Sequence, residues 1–255
     1  MFKRIAFFAY GVACYLVFLA TFLYAIAFVG GCPILPTRLD GPLTGSLATA
    51  IAVNCALLTI FAVQHSVMAR RWFKERWTQV VPWSIERSTY VLAASLALLL
   101  LFWQWRPIGF EVWHVEHAGT RALLWALFAL GWGTVLVVTF LINHFDLFGL
   151  RQVWLPLVGK PYTPVNFRTP LPYRYVRHPL YFGFLLAFWA TPHMTLAHLL
   201  FAIATTAYIV LAIQFEERDL VAEHGAAYRA YQQKVPMLIP GVKPRRLEQD
   251  CRSEA

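Results

Sequence analysis

Four apolar runs, at about residues 5–29, 46–69, 88–105 and 121–142, are each about long enough to cross a bilayer as a helix, because a span takes about 20 mostly apolar residues. Backbone in hydrocarbon must satisfy its own hydrogen bonds, which makes helices the natural reading of such runs. A fifth apolar region, about 179–213, is too long for one crossing at about 1.5 Å per residue. Thr191-Pro192-His193 interrupts it near its middle, and proline removes a helical hydrogen bond. We therefore expect a hairpin with arms near 179–190 and 195–213, the first arm short. Charged residues make up 14% of the chain, against about 25% in soluble domains. The expected fold is an all-α integral membrane protein of about five transmembrane elements. The last is a helix-turn-helix hairpin, and a cytoplasmic helical tail follows it. The chain reads as one membrane domain: four spans over 1–142, a cytoplasmic connector over 143–178, the hairpin over 179–213 and the tail over 214–255.

The net charge of +9 is explained by where the basic residues fall. With the N-terminus taken as cytoplasmic, 19 of the 22 Lys and Arg lie on that side, and only Arg38, Arg106 and Arg121 lie opposite. This is the positive-inside pattern, with both termini cytoplasmic and a bacterial inner membrane as the expected location. It accounts for the basic balance through the membrane surface, without nucleic acid. The four cysteines, Cys14, Cys32, Cys55 and Cys251, show no Cys-x-x-Cys or Cys/His spacing, so neither a metal site nor a disulfide framework is expected. Val29-Gly30-Gly31-Cys32 faintly resembles a lipoprotein cleavage box, but the apolar run before it is too long for a signal peptide.

Polar clusters collect at the cytoplasmic ends of the spans. Gln64-His65-Ser66 ends the second, Asn143-His144-Phe145-Asp146 ends the fourth, and Arg177-His178 with Glu216-Glu217 flank the hairpin's two feet. Pro179 suits a first helical turn, so Arg177 and His178 stand beside backbone N–H groups at a helix start, an expected anion site. Glu217, His224, Tyr228 and Tyr231 recur at helical spacing if the helix continues, although Gly225 weakens that continuity. The plain alternative is an interfacial arginine, a core histidine and a solvated acidic helix. A zwitterion such as S-adenosylmethionine suits such feet, since aromatic faces also attract its sulfonium. Gly131-Trp132-Gly133 lies inside an apolar run and reads as helix packing.

"RHPLYFGF", an apolar stretch, "EERDL" and then "HGAAYRAYQQKVPMLIP" resemble the C-terminal signature of the isoprenylcysteine carboxyl methyltransferase superfamily, over about residues 173–240. The resemblance implies S-adenosylmethionine binding on the cytoplasmic side, with cofactor roles for Arg177, His178, Tyr181, Gly183, Glu216 and Glu217, and for Tyr228 and Tyr231. Upstream, "QHSVMARRWFK", "ERSTYVL" and "NHFDLFGLRQVW" resemble a narrower branch that includes the membrane methanethiol S-methyltransferases and NnrU-like proteins. A small thiol acceptor, methylated to a sulfide, is what that branch implies. A superfamily member acting on an isoprenylcysteine carboxylate or a lipid amine is the first alternative; a haem-binding or transport protein is the second.

Thiol methylation is an in-line displacement in which the thiolate attacks. An alkyl thiol is less acidic than cysteine, whose pKa is about 8.5, so at pH 7 deprotonation costs more than about 2 kcal/mol. A base or cation has to offset this. His144 oriented by Asp146 is the leading pair, provided the helix ends near His144; His65 is the rival base. Arg151 either stabilises a thiolate or contacts lipid phosphate. The expected partners are the small thiol and membrane lipid; the oligomeric state stays open.

Overall fold

The computed structural model describes residues 1–163 and 170–242. Arg168 and the basic residues after Val242, along with Cys251, lie outside the described residues. Five helices are long and apolar enough to cross a membrane: α1 (Phe2–Val29), α2 (Leu47–Ala69), α4 (Trp83–Gln104), α5 (Ala118–Ile142) and α9 (Leu196–His224). Short helices join them: α3 (Arg71–Trp77), α6 (His144–Leu147), α7 (Leu150–Leu157), α8 (Pro179–Trp189) and α10 (Ala226–Lys234). A two-stranded antiparallel ribbon pairs β1 (Glu111–His114) with β2 (His193–Thr195). The spans alternate in direction. We call the end that carries Phe2, α3, α6, α7 and α10 the near end, and the end that carries the ribbon the far end.

Apolar side chains stand exposed around the bundle, among them Leu23, Val63, Trp103, Leu123, Val137 and Leu211. In water such a surface would drive association; against acyl chains it is the solvent-matched face of an integral membrane protein. Packing inside is aromatic. Phe28, Phe102, Trp105, Trp132, Phe188 and Phe201 form one continuous cluster, with neighbouring rings edge-on or tilted, as their quadrupoles favour.

The hairpin forms as the sequence suggests, with α8 ending at Trp189 and α9 beginning at Leu196. Two features go beyond that reading. The residues between the arms are not a plain turn: His193–Thr195 pair with β1, and the Thr195 side chain caps α9 by accepting from the His198 N–H. In addition, α9 runs unbroken to His224, past the expected end near 213. Gly225 (φ +56°, ψ −127°) then turns the chain into α10, a conformation that a side chain would forbid.

The most extensive helix pairing sets α8 against α5. A Cβ on Gly131 would lie 2.6 Å from the Ala187 backbone nitrogen, and one on Gly183 would lie 2.8 Å from the Gly131 carbonyl oxygen. The two backbones touch because neither position has a side chain, as in small-residue membrane seams. Gly133 meets nothing within 4 Å of such a position, so only the first glycine of the Gly-Trp-Gly triplet serves the packing. Gly183 thus belongs to this seam. The superfamily resemblance implies a cofactor role for it, and its place in the fold gives it a packing role.

Candidate functional site

The hairpin's two feet meet at the near end. The Arg177 Nε donates to Glu217 Oε1 at 2.5 Å, and His178 Nε2 lies 3.1 Å from the same oxygen. Gln232 donates to the other Glu217 oxygen at 3.0 Å. The Arg177 Nη1 also donates to the backbone carbonyls of Gln232 and Val235. Both members of the pair are largely enclosed, with the side chains of Arg177 and Glu217 only 9% and 12% exposed. Removing one partner from such a pair typically costs about 3–5 kcal/mol, because the other charge stays buried without its counter-ion.

The backbone N–H groups of Arg177 and His178 themselves, just ahead of α8, are taken by the chain. The Arg177 N–H donates to the Pro236 carbonyl at 2.9 Å and the His178 N–H to the Met237 carbonyl at 3.2 Å. The segment beyond α10 packs back along the hairpin's first foot, and Leu238 joins Ile209 and Ile213 in a small core there. The Arg-His pair is therefore a junction between three segments, and its backbone donors are satisfied internally.

Glu216 differs from its neighbour. Its side chain is 46% exposed, His178 Nδ1 lies 3.8 Å away, beyond hydrogen-bonding range, and the Tyr181 hydroxyl reaches it. Tyr173, Tyr181 and Tyr228 all lie within electrostatic reach of it. Burial, and then the Glu216 charge, raise the Tyr173 phenol above the ordinary range. Burial, and then the Glu217 charge, raise Tyr228. Burial also carries Tyr231 up to about 12, against the pull of Arg177. These phenols stay protonated at neutral pH and act as donors. Tyr231 uses its hydroxyl on the Tyr173 carbonyl at 2.5 Å, pinning the turn before α8, and Tyr228 is buried between α9 and α10. The available surface of this cup is thus Glu216 with Tyr173 and Tyr181. Tyr173 was not singled out from the sequence; nothing in its local pattern distinguishes it from an interfacial tyrosine.

Further into the bundle, the Tyr90 hydroxyl lies 3.0 Å from the ring nitrogens of His65, and Phe61 stacks on the other side of that ring. Among the described residues Tyr90 is the hydrogen-bond partner of the His65 ring, and its one hydroxyl is shared by both nitrogens. The adjacent Ser66 meets Tyr208 at 3.2 Å. Tyr181 lies within electrostatic reach of Glu216, Tyr208 and Tyr90. Tyr181, Tyr208 and Tyr90 thus lie in the same region of the bundle as Glu216 and His65. Tyr90 and Tyr208 escaped the sequence reading because each sits singly in an apolar span.

The expected His144–Asp146 pair does not form. The main helix does end before His144, as that pairing required, but the following turn sends the two side chains apart. Thr139 Oγ1 donates to the Leu136 carbonyl, so it accepts from His144 Nδ1 at 2.9 Å, which leaves Nε2 to accept from the Tyr15 hydroxyl at 2.9 Å. Both nitrogens are spent, the ring stacks on Phe140, and burial lowers its pKa. The His144 ring thus joins α1 to the end of α5 through two hydrogen bonds. Asp146 instead meets Arg151 at 3.1 Å, Arg87 at 3.5 Å and the Tyr162 hydroxyl at 3.3 Å. Arg151 also donates to the Thr163 carbonyl and hydroxyl, so its guanidinium is anchored. This second cluster ties α4, α7 and the connector together. An apolar groove of about 460 Å³ between α1 and α7, lined by Phe8, Val12, Phe145 and Trp154, opens beside Arg151 and shares no residue with the cup.

Five helices long and apolar enough to span, with an Arg-His-Glu cluster and several tyrosines gathered at one end, define a polytopic membrane protein with a candidate site at that end. Comparison with known proteins makes the class more specific. The chain is 58% identical over 231 residues to the methanethiol S-methyltransferase of Crocosphaera subtropica, covering 91% of this chain and 90% of that protein. It is 58% identical over 238 residues to the enzyme of the same name from Mycobacterium tuberculosis, covering 93% and 97%. Nurim of Xenopus laevis is a more distant relative, 33% identical over 199 residues. The chain belongs to the methanethiol S-methyltransferase family. No family model matches the chain, and no solved structure matches it.

Proposed function

We propose that the protein methylates methanethiol to dimethyl sulfide, with S-adenosylmethionine as donor, at the cytoplasmic face of a bacterial inner membrane. The observation that carries this reading is the similarity to enzymes of that name over nine-tenths of the chain. The donor set of the cup fits the cofactor. Glu216 suits ribose hydroxyls or the sulfonium's positive charge, and the faces of Tyr173 and Tyr181 attract a sulfonium by about 0.5–2 kcal/mol. When bound, the cofactor supplies an electrophilic methyl carbon. Arg177, His178 and Glu217 hold the two feet together and keep Glu216 in place. They position, and Glu216 binds.

On the acceptor side, His65 is the better base. Its two ring nitrogens share a single hydroxyl partner, Tyr90, whereas each nitrogen of His144 has a partner of its own. His65 takes the S–H proton as sulfur attacks, so that thiolate need not form free in solution. Phe61 and the surrounding apolar spans favour a small, lipid-soluble thiol. The skew of basic residues toward the near end supports a cytoplasmic placement of the cup.

The test is direct. Purified protein is given S-adenosylmethionine with methanethiol, an isoprenylcysteine or a lipid amine, and the headspace and organic extract are analysed. Dimethyl sulfide from the first mixture supports the proposal. Methylation confined to either of the others overturns it.

A further inference from the structure

We propose that Glu111, His114 and His193 form a binding site for a divalent transition-metal ion of the zinc class, on the ribbon at the far end. The residues come from both strands. His114 and His193 are direct cross-strand partners. In a regular strand Glu111 and His114, three positions apart, would point to opposite faces. The register slips between Glu111 and Trp113, and a bulge of this kind re-aims a side chain. Glu111 therefore stands on the histidines' face, with its Oε2 3.2 Å from His193 Nε2 and 3.7 Å from His114 Nδ1.

A pairwise ion-pair contact explains the 3.2 Å approach to His193. It does not explain His114, whose nitrogen is out of bonding range of the carboxylate. The three donor atoms lie within 4.8 Å of one another. A tetrahedral ion with bonds of about 2.0–2.1 Å holds its donors about 3.4 Å apart. Small rotations of half-exposed side chains close that difference. Two imidazoles and a carboxylate form a nitrogen-and-oxygen set suited to zinc, cobalt or nickel, with a position left for water.

The backbone beneath is already fixed. The Val115 N–H donates to the Pro192 carbonyl at 2.8 Å, the Trp113 indole N–H to the Thr191 carbonyl at 3.1 Å, and the Thr191 hydroxyl to the His193 carbonyl at 2.8 Å. A bound ion would clasp β1 to β2 and so fasten the turn of the hairpin. The site stands apart from the methyl-transfer reading, which concerns the other end of the bundle. Cysteine spacing could not reveal it, because its donors are brought together by strand pairing.

The test uses full-length protein in detergent, stripped with a chelator and titrated calorimetrically with Zn²⁺, then with Co²⁺ followed by absorption. Wild type is expected to take up one equivalent, with cobalt bands free of thiolate charge transfer. His114→Asn, His193→Asn and Glu111→Gln should each weaken uptake at least about tenfold. Lack of saturable uptake by wild type, or wild-type affinity in the His114→Asn/His193→Asn double variant, overturns the site. If the double variant fails to fold, acylation of wild-type histidines decides. Zn²⁺ should protect His114 and His193 selectively; equal labelling with and without Zn²⁺ refutes the proposal.

Discussion

Both ends of the α8–α9 hairpin are held by a carboxylate gripping a histidine, yet the two grips are finished differently. At the far end, Asp40 accepts from the Thr195 hydroxyl at 2.5 Å and meets His198 Nδ1 at 3.1 Å, while His198 Nε2 donates to the Phe188 carbonyl at 3.0 Å. His198 is fully enclosed and both its nitrogens have partners, so it has no capacity left. At the near end, Arg177 and Glu217 are just as fully used, but the next residue along α9 is a half-open carboxylate ringed by phenols. A closed grip makes a joint. A closed grip beside an incompletely partnered charge makes a joint that can also bind. Strong buried polar contacts alone do not identify a site; a polar group left partly unpaired beside them makes a candidate.

The comparison can be broken by substitution. The largest effect is expected from Arg177→Ala, which strands Glu217 among buried groups. A loss of about 3–5 kcal/mol in stability should be seen by thermal unfolding, and donor binding should fail with it. Glu216→Gln should separate the two properties. Calorimetry should show about a hundredfold loss of S-adenosylmethionine affinity, about 2.8 kcal/mol, with an unchanged unfolding temperature. If unfolding shifts as much as binding, Glu216 belongs to the joint. Asp40→Asn should do the reverse, costing about 1–3 kcal/mol of stability through its lost charge-assisted bonds while leaving donor affinity alone. The beam between the ends supplies the smallest and most finely matched test. Gly131→Ala forces a methyl against the Ala187 backbone and should cost about 1–3 kcal/mol. Gly133→Ala meets open space and should be neutral or stabilising by up to about 1 kcal/mol.

How much of this could be read from the chain alone follows from the range of the interactions. The spans, the break at Pro192 and the meeting of Arg177 with Glu217 were legible because helix periodicity and a short turn determine them. The satisfied N–H groups of Arg177 and His178 were not, because their acceptors at Pro236 and Met237 depend on how the chain returns after Gly225. His144 and Asp146 do not pair because a new helical turn, α6, starts at His144 and sets positions i and i+2 on different faces, a restart that the residue types did not reveal. Tyr90 and His65 sit on different helices, and only packing makes them neighbours. The ribbon strands, four and three residues long, carry too little alternation to announce themselves.

The 29 residues of α9 have a consequence for how the protein meets its lipid. That helix is about 43 Å long, against a hydrocarbon layer of about 30 Å. A helix with excess length leans over in a thin bilayer and straightens in a thick one. Glu216 rides on the protruding segment, so its height above the headgroups follows acyl chain length. Reconstitution into short-chain and long-chain phospholipids therefore changes how deeply the acidic foot sits, which makes membrane thickness a physical setting for this protein.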